Sequence, residues 1–419
     1  MAMTISEKIF AAHCGRDSVK AGELVYANLD LVMGTDVTVP LSVSVFNQIG
    51  AEKVFDNKKI ALVNDHFVPA KDIQAAGLSK TMREFAIKYD IQNYFEVGRS
   101  GICHCIVPDS GLVVPGDLII GADSHTCTYG ALGAFATGVG STDMATSWAL
   151  GENWFKVPPT IKIIYKGTLQ PFVGGKDIIL DTIGKLGVEG ALYCALEFEG
   201  DVIDNLSLAD RFTICNMAIE AGAKSGIIKA DKKVFDFLEG KTNRKFTSYS
   251  SDTDAIFLDV IEIDVTNLEP QIAFPYLPSN VKPISDVEKI KVDQVVIGSC
   301  TNGRMEDFRA AAEILQGKEI APYVRLIVIP ATQEIYLQMM FEGLLSTFIK
   351  SGATISPPTC GPCIGGHMGI LGENEVGLYT TNRNFKGRNG HISSKVFLCS
   401  PVVASASALK GFITDPREM

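Results

Sequence analysis

Short apolar runs recur along the chain and are separated by helical patterns. The runs are rich in β-branched residues and nearly continuous, as in strands that are buried on both faces. They are KIALVND (59–65), GDLIIGAD (116–123), TIKIIYKG (160–167), DQVVIGSC (293–300) and YVRLIVIP (323–330). Helices are predicted between them, for example at EDFRAAAEILQG (306–317) and TQEIYLQMMFEGLL (332–345). This alternation predicts an α/β fold with largely parallel sheets.

Two proline-containing segments divide the chain. The segment FKVPPTIK (155–162) ends a predicted helix that carries Trp148 and Trp154, and FPYLPSNVKPIS (274–285) is typical of an extended connector. We therefore expect three α/β domains, at residues 1–157, 158–283 and 284–419.

Two local motifs add detail to this picture. The opening TISE at Thr4 to Glu7 predicts a capping box for a first helix that runs to Gly15. The glycine-dense GALGAFATGVGS (130–141) lacks the G-x-G-x-x-G spacing of a nucleotide loop. We interpret its small residues as a means of close packing.

The composition excludes several classes of protein. With 46% hydrophobic and 21% charged residues among 419, the chain is expected to be globular and to contain more than one core. It shows neither a signal-peptide pattern at the start nor an apolar run of membrane-spanning length, so a soluble cytoplasmic protein is predicted. A formal net charge of −10 gives no electrostatic footprint for nucleic acid. Ten cysteines are too few for a disulfide framework.

A Cys-Gly-Pro-Cys turn supplies Cys360 and Cys363. Such a pair can form a redox disulfide, hold half of a zinc site or ligate an iron–sulfur cluster. Cys300 follows a predicted strand and is expected in the same cleft, because α/β folds place their sites at strand ends. A cluster held by three cysteines leaves one iron open to a substrate, whereas electron-transfer and zinc sites usually have four protein ligands. The pair alone does not decide among these alternatives.

Polar side chains follow other predicted strands in the same way. Asp65 and His66 come after KIALV, and Asp123, Ser124 and His125 come after GDLII. Taken singly, Asp-His neighbours are more often turn residues, and an arginine-rich stretch such as NRNFKGR usually only solvates a surface.

The combination of motifs is more specific than any one of them. In chain order, DH, GADSHT, VIGSCTNGR, TCGPCIGG and TTNRNFKGR closely resemble the aconitase superfamily, and the resemblance covers essentially the whole chain. Within it the chain is most similar to the large subunits of 3-isopropylmalate dehydratases and of the related homoaconitases and dimethylmalate or citraconate-type hydro-lyases. The resemblance implies three α/β/α domains around one 4Fe-4S cluster. It also implies a hydro-lyase that acts on a small hydroxy di- or tricarboxylic acid, most frequently in leucine biosynthesis.

The resemblance further implies roles for individual residues. The implied cluster ligands are Cys300, Cys360 and Cys363. The implied catalytic residues are Asp65, which orients the proton donor His66, His104, which pairs with Asp123, and His125 and Glu197, which lie beside iron-bound water. The implied substrate-binding residues are Ser124, Asn382, Arg383 and Arg388.

The other cysteines are predicted to be core residues. Cys103 and Cys105 flank His104 at strand spacing, so both are expected to point away from it. The remaining members of this group are Cys14, Cys127, Cys194, Cys215 and Cys399.

A partner is also expected. Single-chain members of the superfamily continue into a swivelling domain that carries a catalytic serine base and a further arginine, whereas this chain ends at Met419. The resemblance therefore implies a separate small swivelling subunit, in a heterodimer or heterotetramer, that supplies the base and the substrate-selecting loop. Two other classes stay open. An iron-responsive RNA-binding protein would need a basic cleft and four domains, and an electron-transfer protein would need a fourth thiolate, from Cys127 or Cys399.

Overall fold

A computed structural model describes residues 1–419. Residues 1–157 form five helices and seven strands. The helices are α1 (Ile5–His13), α2 (Val39–Gln48), α3 (Ile73–Lys88), α4 (Cys103–Asp109) and α5 (Ser141–Leu150). The strands are β1 (Leu24–Asn28), β2 (Leu31–Thr35), β3 (Ile60–Val63), β4 (Asn93–Phe95), β5 (Leu118–Gly121), β6 (Phe135–Gly138) and β7 (Glu152–Lys156). Strands β2 to β6 form a parallel sheet in the order β4-β3-β2-β5-β6, and β1 pairs with β7 in an antiparallel ribbon.

The next part of the chain forms a four-stranded parallel sheet in the order β10-β9-β8-β11. Its strands are β8 (Thr160–Lys166), β9 (Ala195–Glu199), β10 (Ser225–Ile227) and β11 (Asp259–Asp264). Its helices are α6 (Gly175–Leu186), α7 (Asp201–Asn205), α8 (Leu208–Met217) and α9 (Lys232–Leu238).

The rest of the chain forms a seven-stranded sheet in the order β13-β12-β18-β17-β14-β15-β16. Its strands are β12 (Gln271–Ala273), β13 (Val281–Pro283), β14 (Gln294–Gly298), β15 (Arg325–Ile329), β16 (Thr354–Ile355), β17 (Val376–Tyr379) and β18 (Lys395–Leu398). Its helices are α10 (Ser299–Asn302), α11 (Met305–Leu315), α12 (Gln333–Phe341), α13 (Leu344–Lys350) and α14 (Pro401–Lys410). The two pairs that β12 makes, with β13 and with β18, are antiparallel, and all the other pairs of this sheet are parallel. The predicted α/β fold with largely parallel sheets is thus confirmed.

Short 3₁₀ helices complete the chain. They are Ser124–Leu132, Ala218–Ala221, Ile284–Asp286, Gly361–Ile364 and Pro416–Glu418. The three large sheets share one apolar cluster of 48 buried residues. Met33 belongs to the first sheet, Ile163 to the second and Val296 to the third. None of the helices combines the length and apolar character that crossing a membrane requires.

Three predicted elements differ from the structure. The helix that carries Trp148 ends at Leu150, because Gly151 adopts φ 75°, and Trp154 lies on β7 instead. The predicted helix at 332–345 stops at Phe341 and restarts after a left-handed Gly343. The expected connector at 274–285 contains β13, which pairs with β12 and extends the third sheet. The domain boundaries stay a prediction.

Two local predictions are confirmed. Thr4 and Glu7 form the capping box that starts α1, although the helix ends at His13. In the glycine-dense segment, a Cβ on Gly130 would lie only 1.7 Å from the carbonyl oxygen of Gly226. Glycine at this position therefore allows the 3₁₀ helix Ser124–Leu132 to pack directly against β10.

Candidate active site

The carboxyl ends of strands from the first and third sheets meet around one cavity of about 200 Å³. Asp65 follows β3, Asp123 follows β5, Cys300 follows β14 and Asn382 follows β17. Parallel strands of α/β folds commonly place functional side chains at this edge. All of the predicted site residues except Asp65 and Glu197 line the cavity.

His66 and Asp65 form a buried pair at the end of β3. The Nδ1 atom of His66 lies 2.6 Å from Oδ1 of Asp65, and Asp65 Oδ2 accepts a hydrogen bond of 2.8 Å from the backbone N–H of Cys103. A second carboxylate, that of Asp36, lies 3.7 Å from the same ring nitrogen. Burial lowers the pKa of His66, but the two carboxylates outweigh burial and place this pKa well above its ordinary value. The two carboxylates therefore favour the protonated form of the imidazole.

Asp123 organises a second pair of histidines. Its Oδ1 atom lies 2.8 Å from Nε2 of His104 and accepts a hydrogen bond of 2.8 Å from the backbone N–H of His125. Burial raises the pKa of Asp123, but the charge and hydrogen bond of His104 reverse this effect, and the pKa lies well below its ordinary value. Asp123 is thus an ionised anchor for the ring of His104 and the backbone of His125.

Glu220 joins His125 to a predicted substrate-binding arginine. Its Oε1 atom lies 2.8 Å from His125 Nε2 and accepts a hydrogen bond of 2.8 Å from Nε of Arg383. Arg383 Nη1 in turn donates to Ser124 Oγ at 2.9 Å. Glu220 is 4% exposed and lies in the 3₁₀ helix that follows α8. This carboxylate holds the guanidinium in one orientation at the cavity wall.

Glu197 is not part of this arrangement. It lies on β9, away from the cavity wall, and its Oε2 atom accepts a hydrogen bond of 2.7 Å from Ser251. Burial, with a contribution from Glu199, raises the pKa of Glu197 to about 8. The structure therefore corrects the expectation for Glu197, because the glutamate beside His125 is Glu220, which is much later in the chain.

The three predicted ligand cysteines are buried around the cavity. Cys300, Cys360 and Cys363 are 2%, 8% and 3% exposed. Two side-chain amides point at the sulfur of Cys300, with Nδ2 of Asn216 at 3.2 Å and Nδ2 of Asn382 at 3.4 Å. A hydrogen bond from Cys360 lowers the pKa of Cys363 despite burial. Two amide donors thus reach the sulfur of Cys300.

Comparison with known proteins identifies the family. The family model described as "Aconitase family (aconitate hydratase)" matches residues 7–289 and 282–411. The chain belongs to the aconitase family. Relatives at high identity match this aconitase-family chain along its full length.

Two of these relatives illustrate the match. The "3-isopropylmalate dehydratase large subunit" of Halothermothrix orenii is 58% identical over 419 residues, which is 100% of both chains. The "3-isopropylmalate dehydratase large subunit 1" of Pyrococcus furiosus is 58% identical over 100% of this chain and 99% of its own length. Among solved structures, aconitase X of Thermococcus kodakaraensis in its holo-form matches with a TM-score of 0.52 and 12% identity. That match covers 94% of this chain and 97% of the other, and it supports the fold alone.

Iron–sulfur clusters are typical of the aconitase family, and the donor set of this cavity fits such a group. The three cysteines that line the cavity carry soft sulfur ligands of the kind that clusters require. The amides of Asn216 and Asn382 at Cys300 are the hydrogen-bond donors that stabilise ligand sulfur.

The prediction for Cys103 was wrong in one respect. Cys103 and Cys105 lie on helix α4, not on a strand, so Cys103 lines the cavity together with His104. Cys105 is buried in the core, as are Cys194, Cys215 and Cys399, and Cys14 is partly buried. Cys127 donates to the carbonyl of Asn216 at 3.3 Å and lies outside the cavity wall.

Sequence reasoning missed three polar contributors to the site. Asp36 had a usable signal, because it follows the apolar strand LVMG as Asp65 follows KIALV. Glu220 and Asn216 had none, since both belong to a helical stretch and reach the site only through tertiary packing.

Proposed function

We propose that the chain is the cluster-binding large subunit of 3-isopropylmalate dehydratase, which interconverts 2- and 3-isopropylmalate by dehydration and rehydration in leucine biosynthesis. The observation that carries the proposal is the full-length identity of 58% to large subunits of this name. The cavity chemistry supports it, because thiols, the His66 imidazole and arginines surround one small space.

The proposed ligands of a 4Fe-4S cluster are Cys300, Cys360 and Cys363. When bound, the cluster supplies a Lewis-acidic iron for the hydroxyl and carboxylate oxygens of the substrate. The chain's part is to hold the sulfurs in place. The backbone N–H of Cys360 donates to the carbonyl of Asp65 at 2.7 Å, and Arg388 Nε donates to the carbonyl of Cys363 at 2.9 Å.

His66 is the proposed proton donor to the departing hydroxyl. Hydroxide is a poor leaving group, so its departure needs a proton delivered by a positioned acid. Asp65 and Asp36 keep the imidazole protonated, and the Asp65 hydrogen bond at Nδ1 leaves Nε2 to act as the donor. The same group recovers its proton from water when the reaction adds water to the intermediate alkene.

Arg383 and Arg388 are the proposed partners of the substrate carboxylates. A guanidinium presents planar pairs of donors that match a carboxylate. In a chain of net charge −10 these cations also make the cavity locally favourable for a dianion. Ser124 and Asn382 complete the proposed substrate contacts on either side of Arg383.

The two remaining histidines are proposed to handle protons at the opposite wall. His104 is held by Asp123, and His125 is held by Glu220. We assign to Glu220 the role that sequence resemblance had implied for Glu197, because Glu220 is the glutamate in contact with His125.

A small subunit is the proposed partner. The relatives carry the words "large subunit" in their names, which implies a second chain. We propose that this chain supplies the base that removes the carbon-bound proton, together with the loop that selects the substrate. The complex is proposed to be a heterodimer or heterotetramer.

Co-expression with the small-subunit gene, followed by anaerobic assembly with iron and sulfide, tests this function. The complex is expected to interconvert the two isopropylmalates and to use homocitrate-type and dimethylmalate substrates poorly. A preference for either of the latter would reassign the chain to the corresponding branch. Electron paramagnetic resonance with and without substrate gives a second test, because only an open iron changes its signal when a hydroxy acid binds. An unchanged signal would favour electron transfer.

A further inference from the structure

We infer that Asp36 is a positioning residue that holds the loop at residues 65–67, and through it both the proton donor and one wall of the cluster site. The inference rests on the proposed function for its kinetic consequences and on the proposed cluster ligands for the iron-release measurement. Asp36 follows β2, next to the strand that carries the loop, and is 2% exposed.

The carboxylate of Asp36 accepts three consecutive backbone hydrogen bonds. Oδ1 accepts from the N–H groups of Asp65 at 3.3 Å and His66 at 3.0 Å, and Oδ2 accepts from Phe67 at 2.8 Å. These three N–H groups donate to a side chain and not to the backbone of a neighbouring strand, so the carboxylate supplies the hydrogen-bond partners that buried backbone groups need. This carboxylate therefore holds the backbone of the loop at three successive residues, and charge-assisted hydrogen bonds of this kind are stronger than neutral ones.

The held loop is the junction of three parts of the site. The carbonyl of Asp65 accepts from the N–H of Cys360 at 2.7 Å and from Thr359 Oγ1 at 2.8 Å, which fixes the cysteine turn. The carboxylate of Asp65 accepts from the N–H of Cys103 at 2.8 Å, which fixes the start of α4. A shift of the loop would therefore move His66, Cys360 and the helix that carries His104 together.

Asp36 has little freedom to act in another way. Ligand atoms of Asp36, Asp65 and His66 lie within 4.8 Å of one another, a spacing that could suit a metal ion. Both oxygens of Asp36, however, already accept backbone hydrogen bonds, and a cation there would compete with three N–H groups. Asp36 also does not line the cavity, so apart from the effect of its charge on His66 it acts on the reacting groups through the loop.

Asp117 provides a matched control. It lies at the amino end of β5 in the same sheet, is 4% exposed, and accepts from the N–H of Val114 at 3.0 Å. Arg244 also pairs with it, at 2.7 Å. Asp117→Asn therefore removes the charge of a buried carboxylate that holds a loop, as Asp36→Asn does, but at the end of the sheet opposite the site.

The experiment compares Asp36→Asn with Asp117→Asn in the reconstituted large subunit. The first readout is the rate at which a ferrous chelator removes iron without the partner, which does not depend on any activity. We expect release to become roughly tenfold faster for Asp36→Asn, since a misplaced Cys360 weakens the site, and to stay unchanged for Asp117→Asn. The second readout is steady-state kinetics with the partner present. For Asp36→Asn we expect kcat to be about a hundredfold lower and KM to stay within about threefold, because small displacements of catalytic groups reduce the rate on this scale. Asp36→Ala has no side-chain acceptor, so both effects, the faster iron release and the lower kcat, should be larger than in Asp36→Asn.

The inference would be overturned if Asp36→Asn released iron at the wild-type rate and kept the wild-type kcat per cluster, with only a lower melting temperature. If Asp36→Asn does not accumulate as folded protein, the same measurements are made on Asp36→Glu, which keeps the charge but displaces it, and the same outcomes decide. A wild-type complex that fails to isomerise isopropylmalate would count against the proposed function, while iron release would still test the role of Asp36.

Discussion

At the scale of single residues, we expect substitution of Glu220 to reduce turnover and substitution of Glu197 to leave it nearly unchanged. Glu220→Gln removes the charge that orients His125 and Arg383, so turnover of the reconstituted complex should fall about a hundredfold. Steady-state kinetics per bound cluster measures this effect. Glu197→Gln serves as the control, because its contact is with Ser251, and its turnover should stay within about twofold of wild type. A large loss in Glu197→Gln with a small one in Glu220→Gln would restore the assignment that the sequence suggested.

Arg383 tests whether shape or charge matters for carboxylate binding. Its guanidinium contacts Glu220 and Ser124 through different nitrogens, and the compact ammonium of lysine does not reproduce this planar spacing of donors. Arg383→Lys should therefore raise KM about tenfold or more. Arg309→Lys, in a surface pair with Glu342, should leave KM unchanged. Equal KM values for wild type and Arg383→Lys would show that the arginine contributes only charge.

The cysteines test the number of cluster ligands. Cys300→Ser should lose most of the iron after anaerobic reconstitution, whereas Cys103→Ala should retain about four irons per chain. Iron and sulfide analysis, with the visible absorption spectrum, measures both. Because Cys103 also lines the cavity, loss of iron in Cys103→Ala would indicate a four-cysteine site and support the electron-transfer class.

At the scale of helices and strands, the site residues that could be predicted from the sequence are those that directly follow a recognisable strand. The strands before Asp65, Asp123 and Cys300 were visible as apolar runs, and parallel strands bring their carboxyl ends to one edge. The motif resemblance added His104 and the arginine segment. The assignments of Asp65, Asp123 and Cys300 depend on their position directly after a strand in the chain.

Other contributions depend on packing between distant segments. Glu220 reaches His125 across 95 positions of sequence, from a helical stretch with no strand end to mark it. Cys103 was assigned to a strand because alternation over three residues does not distinguish a strand from the first turn of a helix. Trp154 was assigned to a helix because the prolines of 155–162 place the predicted end of that helix beyond it, whereas the helix already stops before Gly151.

Helix α6 gives a prediction about stability. Asp177 in its first turn accepts from the N–H groups of Gly174 at 3.0 Å and Gln271 at 2.8 Å, and burial raises its pKa to about 7 from the ordinary value of 3.8. Between these values the folded protein keeps a proton that the unfolded chain releases, so the free energy of unfolding falls as pH rises from about 4 to 7.

Comparison with Asp177→Asn isolates this effect. A pKa change of this size corresponds to roughly 4 kcal/mol, so the stability of the cluster-free wild type relative to the variant should decline by up to about that amount over the interval. Denaturant unfolding at several pH values measures the difference. Parallel pH profiles for the two proteins would show that Asp177 titrates normally.

At the scale of the whole molecule, the site belongs to no single sheet. The first sheet supplies the histidines and the third supplies the cysteines and arginines, while Glu220 and Asn216 come from the segment between them. A core shared by all three sheets holds these parts together. The cavity can therefore form without a partner, and cluster binding should not require one.

Catalysis, in contrast, should require the small subunit. The large subunit supplies a proposed proton donor and carboxylate partners, and we propose that the base comes from the other chain. The isolated chain should then bind its cluster and be nearly inert, and titration with the small subunit should restore isomerisation to a stoichiometric endpoint. Activity should also fall on dilution, because the complex dissociates by mass action. Dilution-independent isomerisation by this chain alone would place a base among its own 419 residues and remove the need for the proposed division of roles.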